Sequence, residues 1–177
     1  MKRIILLAAL LAIALPLYAQ EDDSYDFTII QGYSVPKEDV SILSAPGTGE
    51  CVFVLKKGRT YEFVIGHPKN GWWRLAEGIL FSGEEQIDLP GDCWIPVSAV
   101  CMHVINPYKK ETLAARKAPD EDAPVVGSVT VGMVVHPMEV TEAGDWIRMV
   151  VDGQPDLTGW VESSCLCWLA NGDCMWH

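Results

Sequence analysis

Apolar residues follow two patterns along this chain. The first is one long stretch, residues 4–17, interrupted only by Pro16. The second is a series of short runs rich in Val, Ile, Trp, Tyr and Phe, each ended by Gly, Pro or Asn. Residues 51–55, 61–65, 72–75 and 94–96 are such runs. Lys56-Lys57-Gly58 reads as a turn and residues 67–71 as a loop. Short runs enriched in β-branched and aromatic residues, bounded by turn formers, predict strands. No segment after the first stretch sustains the spacing of an amphipathic helix. The expected fold is all-β, a small barrel or sandwich.

The order of these runs repeats. Pro46 recurs as Pro119 and Gly71-Trp72-Trp73 as Gly144-Asp145-Trp146, both at an offset of 73 residues. Gly58 recurs as Gly132 at 74, and Trp94 as Trp160 at 66. The first copy therefore carries about seven extra residues, placed within 77–92, a Gly- and Pro-bearing acidic stretch that reads as a lengthened hairpin. An internal repeat predicts two similar units. Trp73, Trp94, Trp146 and Trp160 occupy shared positions, which predicts four core anchors.

The second copy runs Leu113-Ala114-Ala115-Arg116-Lys117-Ala118-Pro119, then Val125-Val126-Gly127-Ser128-Val129, Val131-Gly132-Met133, Gly144-Asp145-Trp146 and finally Gly159-Trp160-Val161. In motif order it resembles a bacterial SH3-like (SH3b) domain. The first copy resembles the family more loosely: its first strand, Val40 to Pro46, lacks the arginine. The resemblance implies two SH3-like half-open barrels in tandem. Expected boundaries are 20–37 for a lead with a possible edge strand, where Tyr25, Phe27 and Ile29 alternate with polar residues. The first domain is then 38–105, the linker 106–110, the second domain 111–168 and the tail 169–177.

The segment Trp94-Ile95-Pro96-Val97-Ser98-Ala99-Val100 is similar to the closing segment of eukaryotic-type SH3 domains. In that family the first Trp of a pair and this Pro line a groove for extended peptides. The resemblance assigns that role here to Trp72 and Pro96, while Ala99 stands where the family has a groove tyrosine; Tyr61 is a further candidate groove residue outside that resemblance. Aromatic walls suit a preformed extended peptide. Related bacterial modules bind peptidoglycan stem peptides and other envelope polymers.

Lys2 and Arg3 precede the first apolar stretch, Ala19 ends it, and Glu21-Asp22-Asp23 follow. Residues 1–19 thus read as a secretory signal peptide. A run of 14 residues is short for a membrane span. The chain is expected to be secreted or periplasmic, and not membrane-spanning once processed. Of 13 basic residues two lie in that segment, and none of the 24 acidic ones does, so the remainder carries 11 against 24, a net −13. Such a charge excludes a nucleic-acid partner, since phosphate binding needs a basic face. An acidic insertion framing the groove would favour a cationic partner.

Three cysteines fall in each half: Cys51, Cys93 and Cys101, then Cys165, Cys167 and Cys174. An even count in an exported chain makes all six disulfide candidates. Complete pairing would require an odd number of bridges between the halves, and a local bridge from Cys165 or Cys167 to Cys174 would pin the tail. Buried thiols are the alternative. Cys165, Cys167, Cys174 and His177 match no common zinc spacing, so no metal is expected, and no cofactor. His67, His103 and His136 are scattered, and no Gly-x-Ser-x-Gly, His-Glu-x-x-His or phosphate loop occurs. The chain therefore reads as a non-catalytic binding module for an envelope peptide or peptidoglycan-type ligand. The alternatives are a structural module that docks to an envelope protein without a small ligand, and a cysteine-dependent redox or hydrolytic protein. A cysteine–histidine contact in a concave site would favour the last.

Overall fold

The computed structural model describes residues 30–105, 107–108 and 112–169, with Glu77 described by its backbone alone. The expected signal peptide, the alternation at Tyr25, Phe27 and Ile29, and Cys174 lie outside these residues.

The first sheet is built from β1 (Ile30–Ser34), β2 (Val40–Leu43), β3 (Cys51–Leu55), β4 (Tyr61–Lys69), β5 (Trp72–Ser82), β6 (Glu85–Asp88) and β7 (Trp94–Pro96). Their order is β1-β4-β5-β7-β2-β3, with β6 paired to β5. The second sheet holds β8 (Met102–Val104), β9 (Leu113–Arg116), β10 (Val125–Val129), β11 (Val134–Val140), β12 (Trp146–Val151), β13 (Gln154–Glu162) and β14 (Leu166–Cys167). Its order is β10-β9-β13-β12-β11-β8-β14. Each sheet curls around its own core, so the chain is two half-barrels in tandem, as the repeat predicts.

The cores follow from alternation. On β4, Tyr61, Phe63 and Ile65 point inward; on β12, Ile147, Met149 and Val151 do. Successive side chains on a strand face opposite sides, so one face of each strand is apolar and buried. Short β10 crosses closely over β13. A Cβ at Gly159 would meet Val126 Cγ2 at 2.9 Å and Ala115 Cβ at 3.0 Å, so only glycine fits there.

Several boundaries differ from the sequence reading. β4 and β5 continue past the expected loop at 67–71 and meet in a two-residue turn. Asn70 (φ 52°) and Gly71 (φ 79°) both have positive φ, which makes a type I′ hairpin of an Asn-Gly pair. The predicted hairpin insertion exists as the outer half of β5 and β6, turning at Gly83-Glu84. It leaves β5 at the end opposite Trp72, so it does not frame the predicted groove. Of the four predicted core anchors only Trp73 (0% exposed) sits in a core. Trp146 is buried (8%) but lies on the outer face of β12, paired with Glu162 and outside both cores. Trp94 and Trp160 are half-buried. Their inward neighbours Ile95 and Val161 take the core positions, which turns the two indoles outward.

The boundary at 105 also moves. β8 is paired with β11 and β14 of the second sheet, so Met102–Val104 belongs to the second unit. Just before it, Tyr33 and Cys101 exchange backbone hydrogen bonds (3.1 and 2.7 Å), linking β1 to the crossing strand. Ile30 and Val140 touch both cores. The Trp73 indole N–H donates to the Pro137 carbonyl on β11, 2.8 Å away and buried. The two units are thus joined by packing and hydrogen bonds rather than strung on a free linker.

Candidate functional site

Trp72 and Pro96 are paired directly across β5 and β7. Direct partners project from the same face with Cβ atoms about 5 Å apart, so the two residues predicted to line a groove are side by side. Both are half-buried. The tight turn at Asn70-Gly71 sets the register that places Trp72 first on β5, and the Val97 N–H donates to the Gly71 carbonyl at 3.0 Å, holding the chain after Pro96 against that turn. The loop between β2 and β3 closes the third side. Gly47 lies close enough that a Cβ there would be 3.4 Å from Trp72 Nε1. The result is a shallow groove bounded by the Gly47 loop, the indole and the Pro96 turn.

Tyr61 is not part of it. The ring is 1% exposed, stands edge-on to Phe53, and its hydroxyl accepts the Lys56 N–H at 3.0 Å. Its place at an inward position of β4 makes it a core residue, which corrects the expectation of a ligand wall.

On the junction side of the turn, Gly71, Val97 and Pro68 line a cleft of about 600 Å³ with Met138, Glu139 and Val150 of the second unit. A second junction cleft, about 470 Å³, brings together groups that are far apart in sequence: Tyr33, Lys37, Cys101, His103, His136 and Asp152. His136 and Ser98 line both clefts.

The geometry of this second cleft decides what its cysteine can do. Cys101 Sγ lies 3.8 Å from His136 Nδ1, and His136 Nε2 lies 3.5 Å from Asp152 Oδ1. The set has the composition of a nucleophilic triad. However, His136 Nδ1 is only 2.8 Å from the Val100 carbonyl oxygen. A carbonyl oxygen only accepts, so Nδ1 carries a proton directed at it and has no lone pair for the thiol. Burial, with the Asp152 charge adding to it, pushes the Cys101 thiol up to about 11. A neutral thiol is a poor nucleophile. Asp152 is itself taken up by Lys37, whose ammonium is 3.2 Å away and holds the carboxyl below its usual value, with His136 contributing further. Tyr33 Oη is 2.9 Å from His103 Nε2 and the two rings stack 5.0 Å apart. Burial, then Cys101 and Asp152, raise the Tyr33 phenol. The cluster ties Tyr33 and Lys37 of the lead and Val100 of the first unit to His103, His136 and Asp152 of the second.

The other cysteines are dispersed. Cys51 is exposed on edge strand β3, and Cys93 is buried in the first core with its thiol raised by desolvation and by Asp92. Cys165 is buried in the second core, and Cys167 is disulfide-bonded. Cys51, Cys93 and Cys101 stand as thiols, so the bridge between halves that complete pairing demands is not formed. Among the described residues no group of three or more His, Cys, Asp or Glu is placed to hold a metal, and no helix is long and apolar enough to cross a membrane.

Sequence reasoning missed the junction cleft because its members come from β1, the segment after it, the crossing strand, β11 and the turn that follows β12. Only the equivalence of the two units and the return of β8 into the second sheet bring them together.

No family model matches the chain, and no curated protein does. Among solved structures, NlpC2 from Trichomonas vaginalis is 14% identical with a TM-score of 0.31; the match covers 82% of this chain and 50% of that one. NlpC1 from Trichomonas vaginalis is 15% identical with a TM-score of 0.29, covering 79% and 45%. The chain thus spans about half the length of each.

Proposed function

We propose that this protein is an exported, non-catalytic tandem SH3-like binding module, secreted or periplasmic. Its ligand is an extended cell-envelope peptide or a peptidoglycan-type peptide. The observation that carries this reading is the direct cross-strand pairing of Trp72 with Pro96 beside the Gly47 loop. An indole and a proline ring side by side form a flat apolar wall that takes an extended chain without reordering. The Cys101–His136–Asp152 cluster is read as a latch between the units, not as a nucleophile, because the imidazole proton faces Val100.

The test is co-sedimentation of the purified chain with isolated peptidoglycan, and binding to a panel of proline-rich peptides. Trp72→Ala and Pro96→Ala should each weaken capture at least tenfold. Unchanged capture by Trp72→Ala would remove the groove assignment. A second reading, docking to an envelope protein without a small ligand, is favoured by edge strand β10, where Val125 and Val126 are 56% and 49% exposed.

A further inference from the structure

The outer face of the second sheet carries a row of side chains in strict register. Glu139 on β11 pairs with Arg148 on β12, Arg148 with Trp160 on β13, and Trp160 with Arg116 on β9. Because each is the direct partner of the next, all four project from one face. Strands are spaced 4.7–4.9 Å, so the two arginines start roughly 10 Å apart with the indole between them. Both guanidinium groups are turned to the flanks of the row, Arg148 to Glu139 and Arg116 to the Ala123 carbonyl, and each sits on a flexible three-carbon stem long enough to swing in over the ring when a ligand arrives. The row lines an open cleft of about 350 Å³, to which Lys117 adds a third cation.

The charge here is exceptional for this chain. Three of 13 basic residues meet in one cleft of a protein whose net charge is −11. Glu139 Oε1 takes one edge of Arg148 at 2.5 Å. Arg116 spends one N–H on the Ala123 carbonyl (2.8 Å), and Lys117 has no ion pair among the described residues. The first unit provides the internal comparison. Its corresponding row is Arg74–Trp94–Leu43: Arg74 is matched by Asp92, and leucine stands where the second unit has Arg116. The indole is common to both units, and the second arginine is not. Core packing does not require it, since Arg116 lies on the outer face while Leu113 and Ala115 fill the inner one.

We propose that the Arg148–Trp160–Arg116 row is a second binding site, distinct from the Trp72–Pro96 groove, for the carboxylate of a short peptide. Two guanidinium forks match the planar geometry of a carboxylate, and the indole gives the adjoining chain an apolar floor. A single carboxylate suits the site better than a phosphate polymer, because a strongly acidic protein repels a polyanion at long range but a monoanion far less.

The test is titration of the ¹⁵N-labelled full chain with N-acetyl-alanyl-alanine, its C-terminal amide and glycerol phosphate, following indole N–H signals. Trp160 is assigned by Trp160→Phe, and the Trp73 signal reports that the fold is intact. The carboxylate should move the Trp160 signal, with affinity falling at least fivefold in Arg116→Leu, which copies the first unit, and by less in Arg116→Lys. Added salt should weaken it. Equal binding of the amide, or an Arg116→Leu affinity within twofold of the parent, would overturn the proposal. Tighter binding of glycerol phosphate would overturn the carboxylate assignment. Loss of this site leaves the peptidoglycan capture that depends on Trp72 as a separate readout.

Discussion

The indole N–H of Trp73, at the centre of the first core, donates to the carbonyl of Pro137 in the second unit. One residue therefore anchors a barrel and holds its neighbour. A barrel of about 60 residues is marginal alone, and this bond couples the two. Trp73→Phe should remove packing volume and orphan the Pro137 carbonyl, costing about 2–4 kcal/mol. Urea unfolding followed by near-ultraviolet circular dichroism would check it. A single cooperative transition should persist but move to lower urea.

The type I′ turn at Asn70-Gly71 sets the register on which Trp72 depends. A Cβ at Gly71 would meet nothing within 4 Å, so Gly71→Ala carries no clash. Its cost is that of a left-handed residue, about 1–2 kcal/mol. Thermal unfolding should show a lower melting temperature.

Cys101 makes the fold sensitive to alkali. Its thiol is raised from 9.0 to about 11, chiefly by burial. The unfolded chain gives up this proton at lower pH than the folded one. Stability from this group is complete below pH 9 and is lost as pH rises towards 11. Denaturation of the parent and Cys101→Ser at pH 8, 9, 10 and 11 should show a steeper decline in the parent. Parallel declines would contradict it.

Asp152 gives the opposite slope. Lys37, and then His136, hold its carboxyl below the ordinary value of 3.8. Its contribution is present above that value and fades as pH falls through the lowered one. The side chain is 40% exposed, so the effect is small, below about 1 kcal/mol. Asp152→Asn should flatten the stability profile below pH 4, measured by urea unfolding in acetate and glycine buffers.

Much of this architecture is legible in the chain. The run spacing predicts strands, and the offset of 73 residues predicts two copies. The lengthened hairpin follows from the shorter Trp146 to Trp160 interval. The inward or outward choice of an indole was not legible, because Trp94 and Trp160 each neighbour an apolar residue that competes for the core. Ile95 and Val161 win by strand parity alone. Tyr61 failed as a groove residue for the same reason. Trp72 and Pro96 could be named together in advance only through the resemblance to eukaryotic-type SH3 domains, which places both in one groove. The Arg148–Trp160–Arg116 row and the Cys101–His136–Asp152 cluster needed cross-strand register, which no single run encodes.

The binding role rests on Trp72. The most direct measurement is titration of the ¹⁵N-labelled chain with soluble peptidoglycan fragments and a proline-rich peptide, following the Trp72 and Trp73 indole N–H signals. Ligand should shift Trp72 Nε1–H and leave the buried Trp73 signal in place. Saturable binding with Trp72 unmoved, or no binding to either probe, would contradict the reading.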